Sequence, residues 1–290
     1  MRSQLRKFEV YLLTEKRVAL NTYKAYSSDC AQYATFLDDH ALSLETSTQE
    51  TLQDFLAFLH TTGISAKTLC RKIAALKLFF LFCCEKLGLE DKATFLLFPQ
   101  TEFTLPTYCS ETEINKLLDT SRVSNVPKSA RTYIILLLLY NSGMRVSELC
   151  NIGLSDIDWH SGTLRVTGKG NKTRLIPLPH AIMQELKKYI DECQPTGYLF
   201  SVLYNKKIKP ISRQTVYTAV KKIVQEAALK HAISPHTFRH SLATHLLKYG
   251  WDLRSLQLLL GHEQVTTVQL YTHLEKSDLQ ATYNKKHPRA

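Results

Sequence analysis

Along the first hundred residues, apolar side chains recur every third or fourth position. Tyr23, Tyr26, Cys30, Tyr33 and Phe36 fall on one face of a predicted helix over Thr22–Leu37, and Leu52, Phe55, Leu56 and Leu59 repeat the spacing. Ser65–Cys84 repeats it again through Leu69, Ile73, Leu76, Phe80 and Cys83, with Lys67, Arg71, Lys72 and Lys77 supplying a basic side. The pattern predicts a small helical domain of about four helices over residues 1–98. The period then fails between Phe98-Pro99 and Leu105-Pro106, which marks a linker over 99–109 and a second domain over 110–290. Ser110 followed by Glu113 has the spacing of a capping box that starts a new helix.

The second domain reads differently. Ala130–Ser142 is apolar on every side, predicting a buried helix that ends at Gly143. Leu164–Val166 and Arg174–Pro177 flank Gly168-Lys169-Gly170-Asn171 as two short strands around a glycine-rich turn. Helical spacing returns at Ala181–Ile190, Thr215–Ala228, Pro235–Tyr249 and Leu253–Leu260. The expected fold is therefore mainly α, a helical N-terminal domain followed by a mostly helical domain with one small antiparallel β-sheet. No internal repeat or low-complexity segment interrupts it.

With 290 residues and 44% hydrophobic content, the chain can build real cores. The net charge of +11 is not spread evenly. Residues 1–106 carry 12 Lys or Arg against 12 Asp or Glu, and residues 107–290 carry 25 against 14. A basic second domain suits a polyanion, nucleic acid being the commonest, although charge alone also serves solubility. Seven cysteines, at 30, 70, 83, 84, 109, 150 and 193, include no Cys-x-x-Cys pair and read as reduced core filling. Met1–Lys7 is charged and followed by Glu9, Glu15, Lys16 and Arg17, unlike a secretory leader. The apolar runs Tyr133–Tyr140 and Leu78–Cys84 are too short for a bilayer, so the expected location is the cytoplasm, with no membrane partner.

Several local words carry candidate chemistry. In Ser234-Pro235-His236-Thr237-Phe238-Arg239, serine and proline begin a helix, and His236 and Arg239 lie three residues apart on one face. Both can reach one phosphate near free backbone N–H groups; a capped helix with two surface residues is an equal reading of the same letters. Arg145 follows the most apolar helix, and Glu148 can orient its guanidinium toward an anion, or simply pair with it. Lys169 sits between two glycines, with Lys172 and Arg174 widening the basic patch, a pattern shared with ordinary solvated hairpin tips. The spacing is not that of a nucleotide-binding P-loop. His262 follows a helix-ending glycine, and Tyr271 lies nine residues later in an amphipathic segment where a tyrosine is more often core than nucleophile.

As a set, Arg145, Lys169, His236, Arg239, His262 and Tyr271 meet the needs of phosphoryl transfer without metal. Cations neutralise charge on the nonbridging oxygens, Lys169 protonates a departing 5′ oxygen, and His236 assists proton movement at Tyr271. A zinc site from His236, His240 and His245 is less consistent, because His245 leaves the helical face of the other two. A DNA-binding module without catalysis accounts for the charge but not for Tyr271.

The order Arg, Lys, His-x-x-Arg, His, Tyr resembles the tyrosine recombinase (phage-integrase) family, most closely its bacterial XerC and XerD type. The words that carry the likeness are Ser142-Gly-Met-Arg-Val-Ser-Glu-Leu149, Gly168-Lys-Gly-Asn-Lys172, Ser234-Pro-His-Thr-Phe-Arg-His-Ser-Leu-Ala-Thr-His-Leu-Leu247, and Asp252-Leu-Arg-Ser-Leu-Gln-Leu-Leu-Leu-Gly-His262 followed by Tyr271-Thr-His273. The resemblance implies a SAM-like core-binding domain and a catalytic domain that form a C-shaped clamp around DNA. It puts Arg145, Lys169, His236, Arg239, His262 and Tyr271 in the catalytic roles and Glu148 in support. Lys67, Arg71, Lys72, Lys77, Lys172 and Arg174 become candidate DNA contacts. It also implies a 3′-phosphotyrosyl intermediate, a four-way junction, and a tetramer on two paired recombination sites in double-stranded DNA. That tetramer contains one recombinase or two related ones, with the segment after Tyr271 docking on a neighbour and a cell-division DNA translocase as a further partner. No metal or other cofactor is expected, because a phosphotyrosyl bond conserves the energy of the phosphodiester. Chromosome-dimer resolution is the role most in keeping with the resemblance, ahead of plasmid resolution, mobile-element integration or a type IB topoisomerase. Leu242, Trp251, Glu263 and Val268 depart from the usual wording, all outside the six catalytic positions.

Overall fold

The computed structural model describes residues 1–100, 107–122, 127–168 and 172–261. The chain separates into two compact units, Met1–Thr104 and Leu105–Ala290. Among the described residues, no helix is long and apolar enough to cross a membrane.

The first unit holds helices α1 (Arg2–Thr14), α2 (Leu20–Asp39), α3 (Gln49–Thr61) and α4 (Ala66–Leu87). Thr48 caps α3 and Ser65 caps α4, each side chain accepting from a backbone N–H three residues on. α4 ends at Gly88 in the left-handed conformation. The inward faces meet in an aromatic core of Phe8, Tyr33, Phe55, Phe79 and Phe80, with Tyr33 and Phe55 5.1 Å apart and Phe8 edge-on to Phe79 at 5.2 Å. α1 had no clear period in the sequence because only Phe8, Tyr11 and Leu12 are buried, barely one turn of face.

The basic side expected on α4 does not form as one surface. Lys67 is exposed, but Lys72 is buried and its Nζ donates to Asp29 Oδ1 at 2.9 Å and Gln32 Oε1 at 2.5 Å. Arg71 closes on the same Asp29, which is itself buried on α2. Lys77 donates to the Thr94 carbonyl at 3.1 Å and lies 5.7 Å from the Phe98 ring centre. The correction has a simple cause: a buried carboxylate needs counter-charge, and Lys72 lies where the apolar face of α4 meets Asp29.

The second unit is arranged around α6 (Pro127–Ser142), which packs against α5 (Glu111–Arg122), α8 (His180–Cys193), α9 (Arg213–Glu226) and α10 (Pro235–Lys248). Every residue from Tyr133 to Met144 is buried, as its all-round apolar sequence requires. α7 (Val146–Cys150) follows at once, and α11 (Leu253–Leu260) packs on α10. Strands β1 (Ile157–Asp158), β2 (Thr163–Thr167) and β3 (Thr173–Pro177) form an antiparallel sheet in that order, with Val166 opposite Arg174. A second antiparallel pair, β4 (Ser201–Tyr204) and β5 (Lys207–Pro210), goes beyond the single sheet expected. Its two-residue turn, Asn205-Lys206, has both residues at positive φ, the geometry that matches strand twist in a tight hairpin.

The Asp29 arrangement can be tested. Asp29→Ala strands the Lys72 ammonium in the first unit and should lower its unfolding free energy by about 3 kcal/mol, whereas Lys67→Ala should change it by less than about 0.5 kcal/mol. Denaturant unfolding of the full chain measures both, and equal effects would remove Lys72 from its structural role.

Candidate active site

α6 delivers the chain to the site under tight constraint. At its C-terminus the Asn141 amide donates to the Leu137 carbonyl at 2.7 Å and the Ser142 hydroxyl donates to the Leu138 carbonyl. The chain then turns at Gly143, where φ is +59° and a Cβ would lie 2.6 Å from Leu260 Cδ2 and 2.9 Å from Leu242 Cδ2. Only glycine meets both demands. The turn sets Arg145 just before α7, with Glu148 in the first turn of that helix.

Glu148 is 4% exposed and fully engaged. One oxygen, Oε1, accepts from Arg145 Nη1 at 2.9 Å and Arg174 Nη1 at 3.0 Å. The other, Oε2, accepts from Arg174 Nη2 and from the Arg145 backbone N–H, both at 2.8 Å. Burial alone would push its pKa up, but the Arg174 fork and the two bonds from Arg145 outweigh it and hold the carboxyl below its usual range. Arg174 is therefore not part of a surface patch, as the sequence suggested. It alternates inward on β3, is 8% exposed, and grips Glu148 bidentately. Gly168 leaves room for this contact, since a Cβ there would stand 3.0 Å from Glu148 Oε1.

The three arginines converge on the end of one helix. Arg174 Nε donates to the Leu259 carbonyl at 3.2 Å, Arg239 Nη2 to Leu260 at 2.7 Å and Arg145 Nη2 to Gly261 at 3.1 Å. These are successive carbonyls at the C-terminus of α11, which ends at Gly261 in the left-handed conformation. Helix C-termini leave such acceptors unpaired and carry partial negative charge, so guanidinium groups satisfy both needs. Arg239 also donates to the Gly143 carbonyl, closing the ring back onto the turn after α6.

The charge balance is uneven: three guanidinium groups share one carboxylate. Burial, then repulsion from Arg145 and Arg174, pull the Arg239 pKa down to about 10 against the attraction of Glu148. Arg239 stays protonated at neutral pH, but its cation is held where another negative charge is welcome. Arg145 keeps 32% of its side chain exposed, and five donors per guanidinium leave capacity beyond the bonds named. His236 is exposed in the first turn of α10, one turn before Arg239. Pro235 opens that helix, and the Thr237 hydroxyl accepts the Ser234 backbone N–H at 3.0 Å. Arg145 and Arg239 have donors to offer a phosphate, and His236 stands one helical turn before Arg239 on the same helix.

Other expected residues fall elsewhere. Lys172 is exposed at the base of the β2–β3 turn, where Gly168 N–H donates to its carbonyl at 2.8 Å. Lys169, His262 and Tyr271 lie outside the described residues. His245 is buried with Nδ1 2.9 Å from the Tyr140 hydroxyl while His236 is exposed, so they do not form one metal cluster. What the sequence did not disclose is the use of α11 carbonyls and the inward turn of Arg174. Only the strand alternation that buries Arg174 between exposed Thr173 and Leu175 could have signalled the latter.

Residues 108–278 match the phage integrase family, and residues 5–86 match the phage integrase N-terminal SAM-like domain. The tyrosine recombinase XerD of Staphylococcus saprophyticus is 37% identical over 289 residues, covering 97% of each chain. Among solved structures, XerH site-specific recombinase bound to its difH substrate is 24% identical with a TM-score of 0.70, covering 94% of this chain and 82% of that one. A lambda integrase tetramer bound to a Holliday junction is 20% identical with a TM-score of 0.69, covering 93% and 76%. At those identities the two structures speak for the fold.

Glu148→Gln should destabilise the second unit by roughly 3 kcal/mol, because it leaves Arg174 buried without a counter-ion. The pH profile gives a second reading. A carboxyl whose folded pKa is depressed contributes stability that is present above the unfolded value of about 4.3 and lost as pH falls through the folded value. The wild-type chain should therefore lose stability more steeply than Glu148→Gln below about pH 4.3, as measured by denaturant unfolding at a series of pH values. Parallel profiles would show that folding does not lower the Glu148 pKa.

Proposed function

The chain belongs to the phage integrase family of tyrosine recombinases, and from that premise we propose a site-specific exchange of DNA strands in which Arg145, Arg239 and His236 hold the scissile phosphate. The observation that carries the reading is the convergence of Arg145, Arg174 and Arg239 on the end of α11 with a single carboxylate, Glu148, bonded by Arg145 and Arg174 alone of the three, which leaves surplus positive charge and a depressed Arg239 pKa. In the proposed step the Tyr271 hydroxyl oxygen bonds to phosphorus, the bond from phosphorus to the 5′ oxygen breaks, and a 3′-phosphotyrosyl ester replaces the phosphodiester. Lys169 gives a proton to the leaving 5′ oxygen, the phenolic proton leaves with help from His236, and His262 donates to a nonbridging oxygen. One ester replaces another, so a 5′-hydroxyl from a second strand can reverse the attack and complete the exchange.

Arg145 and Arg239 suit this work because their cations are fixed before substrate arrives and need no reorganisation as charge grows on the phosphoryl oxygens. Glu148 and Arg174 are positioning residues in this reading, holding Arg145 and the end of α11 without touching DNA. Lys67 and Lys172, both exposed, are the remaining candidates for backbone contacts among the cations named above that are described. Likeness to a protein named tyrosine recombinase XerD, and in fold to a lambda integrase tetramer on a Holliday junction, supports action on paired sites through a four-way junction. The proposed setting is the cytoplasm, and the proposed task is resolution of chromosome dimers, with a related recombinase and a cell-division DNA translocase as partners.

DNA covalently trapped on the protein in its own cell, once sequenced, identifies the site. A nicked duplex carrying that site should then accumulate a protein–DNA adduct with the wild-type chain and none with Tyr271→Phe. An adduct that persists in Tyr271→Phe removes Tyr271 as nucleophile, and relaxation of supercoiled DNA lacking the site would favour a topoisomerase instead. Affinity for the site should fall steeply with salt, by about 0.9 log units per tenfold salt for each phosphate neutralised. An affinity flat from low to moderate salt would speak against DNA as the partner.

A further inference from the structure

Away from the three arginines, three side chains of metal-binding type meet from two stretches of the chain. Cys109 lies on the approach to α5, Glu113 in the first turn of α5, and His231 in the connection between α9 and α10. Cys109 Sγ is 3.9 Å from His231 Nε2, and His231 Nδ1 is 3.6 Å from Glu113 Oε1. One donor atom from each residue lies within 4.8 Å of the other two. Cys109 is fully buried, while His231 and Glu113 each keep about a third of the side chain exposed, so one side of the cluster opens to solvent.

Both anchoring residues are held by bonds that leave ligand atoms free to turn toward a cation. Ser241 Oγ on α10 accepts the Cys109 backbone N–H at 2.8 Å, which fixes the chain that carries the thiol. Glu113 Oε2 accepts from the Ser110 backbone N–H at 2.8 Å and from its hydroxyl at 2.9 Å, which orients the carboxylate and leaves Oε1 toward His231. Such outer bonds are what fixed metal ligands commonly have. Zinc bonds of 2.3 Å to sulfur and 2.0–2.1 Å to nitrogen place tetrahedral ligands about 3.6 Å apart. The two short contacts here use opposite nitrogens of His231, so with a single nitrogen on the metal the three donor atoms span up to 4.8 Å and must close in by about 1 Å as the ion binds. A thiolate, an imidazole and a carboxylate form a borderline donor set that suits zinc and leaves calcium and magnesium poorly served.

We propose that Cys109, Glu113 and His231 bind one zinc ion through the thiolate, an imidazole nitrogen and a carboxylate oxygen, with water in the fourth position on the open side. The thiol proton is released to solvent as the zinc–sulfur bond forms. The ion braces the start of the second unit, α5 and the connection into α10, the helix that carries His236 and Arg239. It is a structural site, separate from the phosphate pocket, and it takes no part in strand transfer.

The test uses the full chain, stripped with a chelator and titrated with zinc alone. The expected result is one zinc per chain with a Kd below about 1 μM, a higher melting temperature when loaded, and, with cobalt substituted, a thiolate-to-metal charge-transfer band in the near ultraviolet. Cys109→Ser and His231→Gln should each lose stoichiometric zinc and the melting shift, and Cys109→Ser also the band. Cys84→Ser, which removes an exposed thiol elsewhere, should keep all three. Absence of tight zinc binding by the wild-type chain overturns the proposal. If Cys109→Ser fails to fold, His231→Gln decides, because its side chain is partly exposed; full retention of zinc and of the melting shift by that variant also overturns it.

Discussion

The catalytic unit depends on a buried electrostatic knot in which one carboxylate, Glu148, and the last carbonyls of α11 are gripped by three arginines. Each component would be costly alone: a buried carboxylate, three crowded guanidinium groups, and a helix end with open acceptors. Together they satisfy one another and still leave a surplus of positive charge. That surplus suits the proposed binding of a phosphate, since Arg145 keeps 32% of its side chain exposed to meet one. α6, buried from Tyr133 to its end, contributes rigidity, since a chain end packed on every side restrains Arg145.

Much of this was legible because it is local. Arg145 with Glu148, and His236 with Arg239, are three residues apart, and helical geometry alone places each pair on one face. The apolar run before Gly143 and the Ser234-Pro235 start are equally local, and the helices emerge within a few residues of the expected spans. What remained hidden was pairing at a distance. Arg174 meets Glu148 across 26 positions and Lys72 meets Asp29 across 43, so both looked like members of solvated basic patches until their partners were in place. The α11 carbonyls were invisible for another reason, since backbone acceptors have no letter in the sequence. The β4–β5 hairpin was missed because it is largely exposed, with Leu203 and Tyr204 outward, and lacks the alternation of a buried strand pair.

The two units solve the problem of charge in opposite ways. The first has no net charge, and its buried Asp29 is matched by Lys72 and Arg71 over an aromatic core. The second carries the whole excess of the chain and gathers three guanidinium groups around one buried carboxylate. Ionic strength should act on these differently in kind. Exposed lysines are screened over about 8–10 Å in ordinary salt, whereas guanidinium groups packed against carbonyls keep most of their field.

The turn at Gly143 has a consequence for when the enzyme becomes dangerous to DNA. Its hydrogen, in place of a side chain, lets Leu242 and Leu260 close over the turn, and the guanidinium contacts it permits span 96 and 116 positions of sequence. Contacts so distant form late, after the intervening chain has been ordered. A nascent or partly unfolded chain would hold the individual arginines but not their geometry. The capacity to break DNA is thus tied to completion of the fold, a safeguard that resides in topology and asks nothing of an inhibitor.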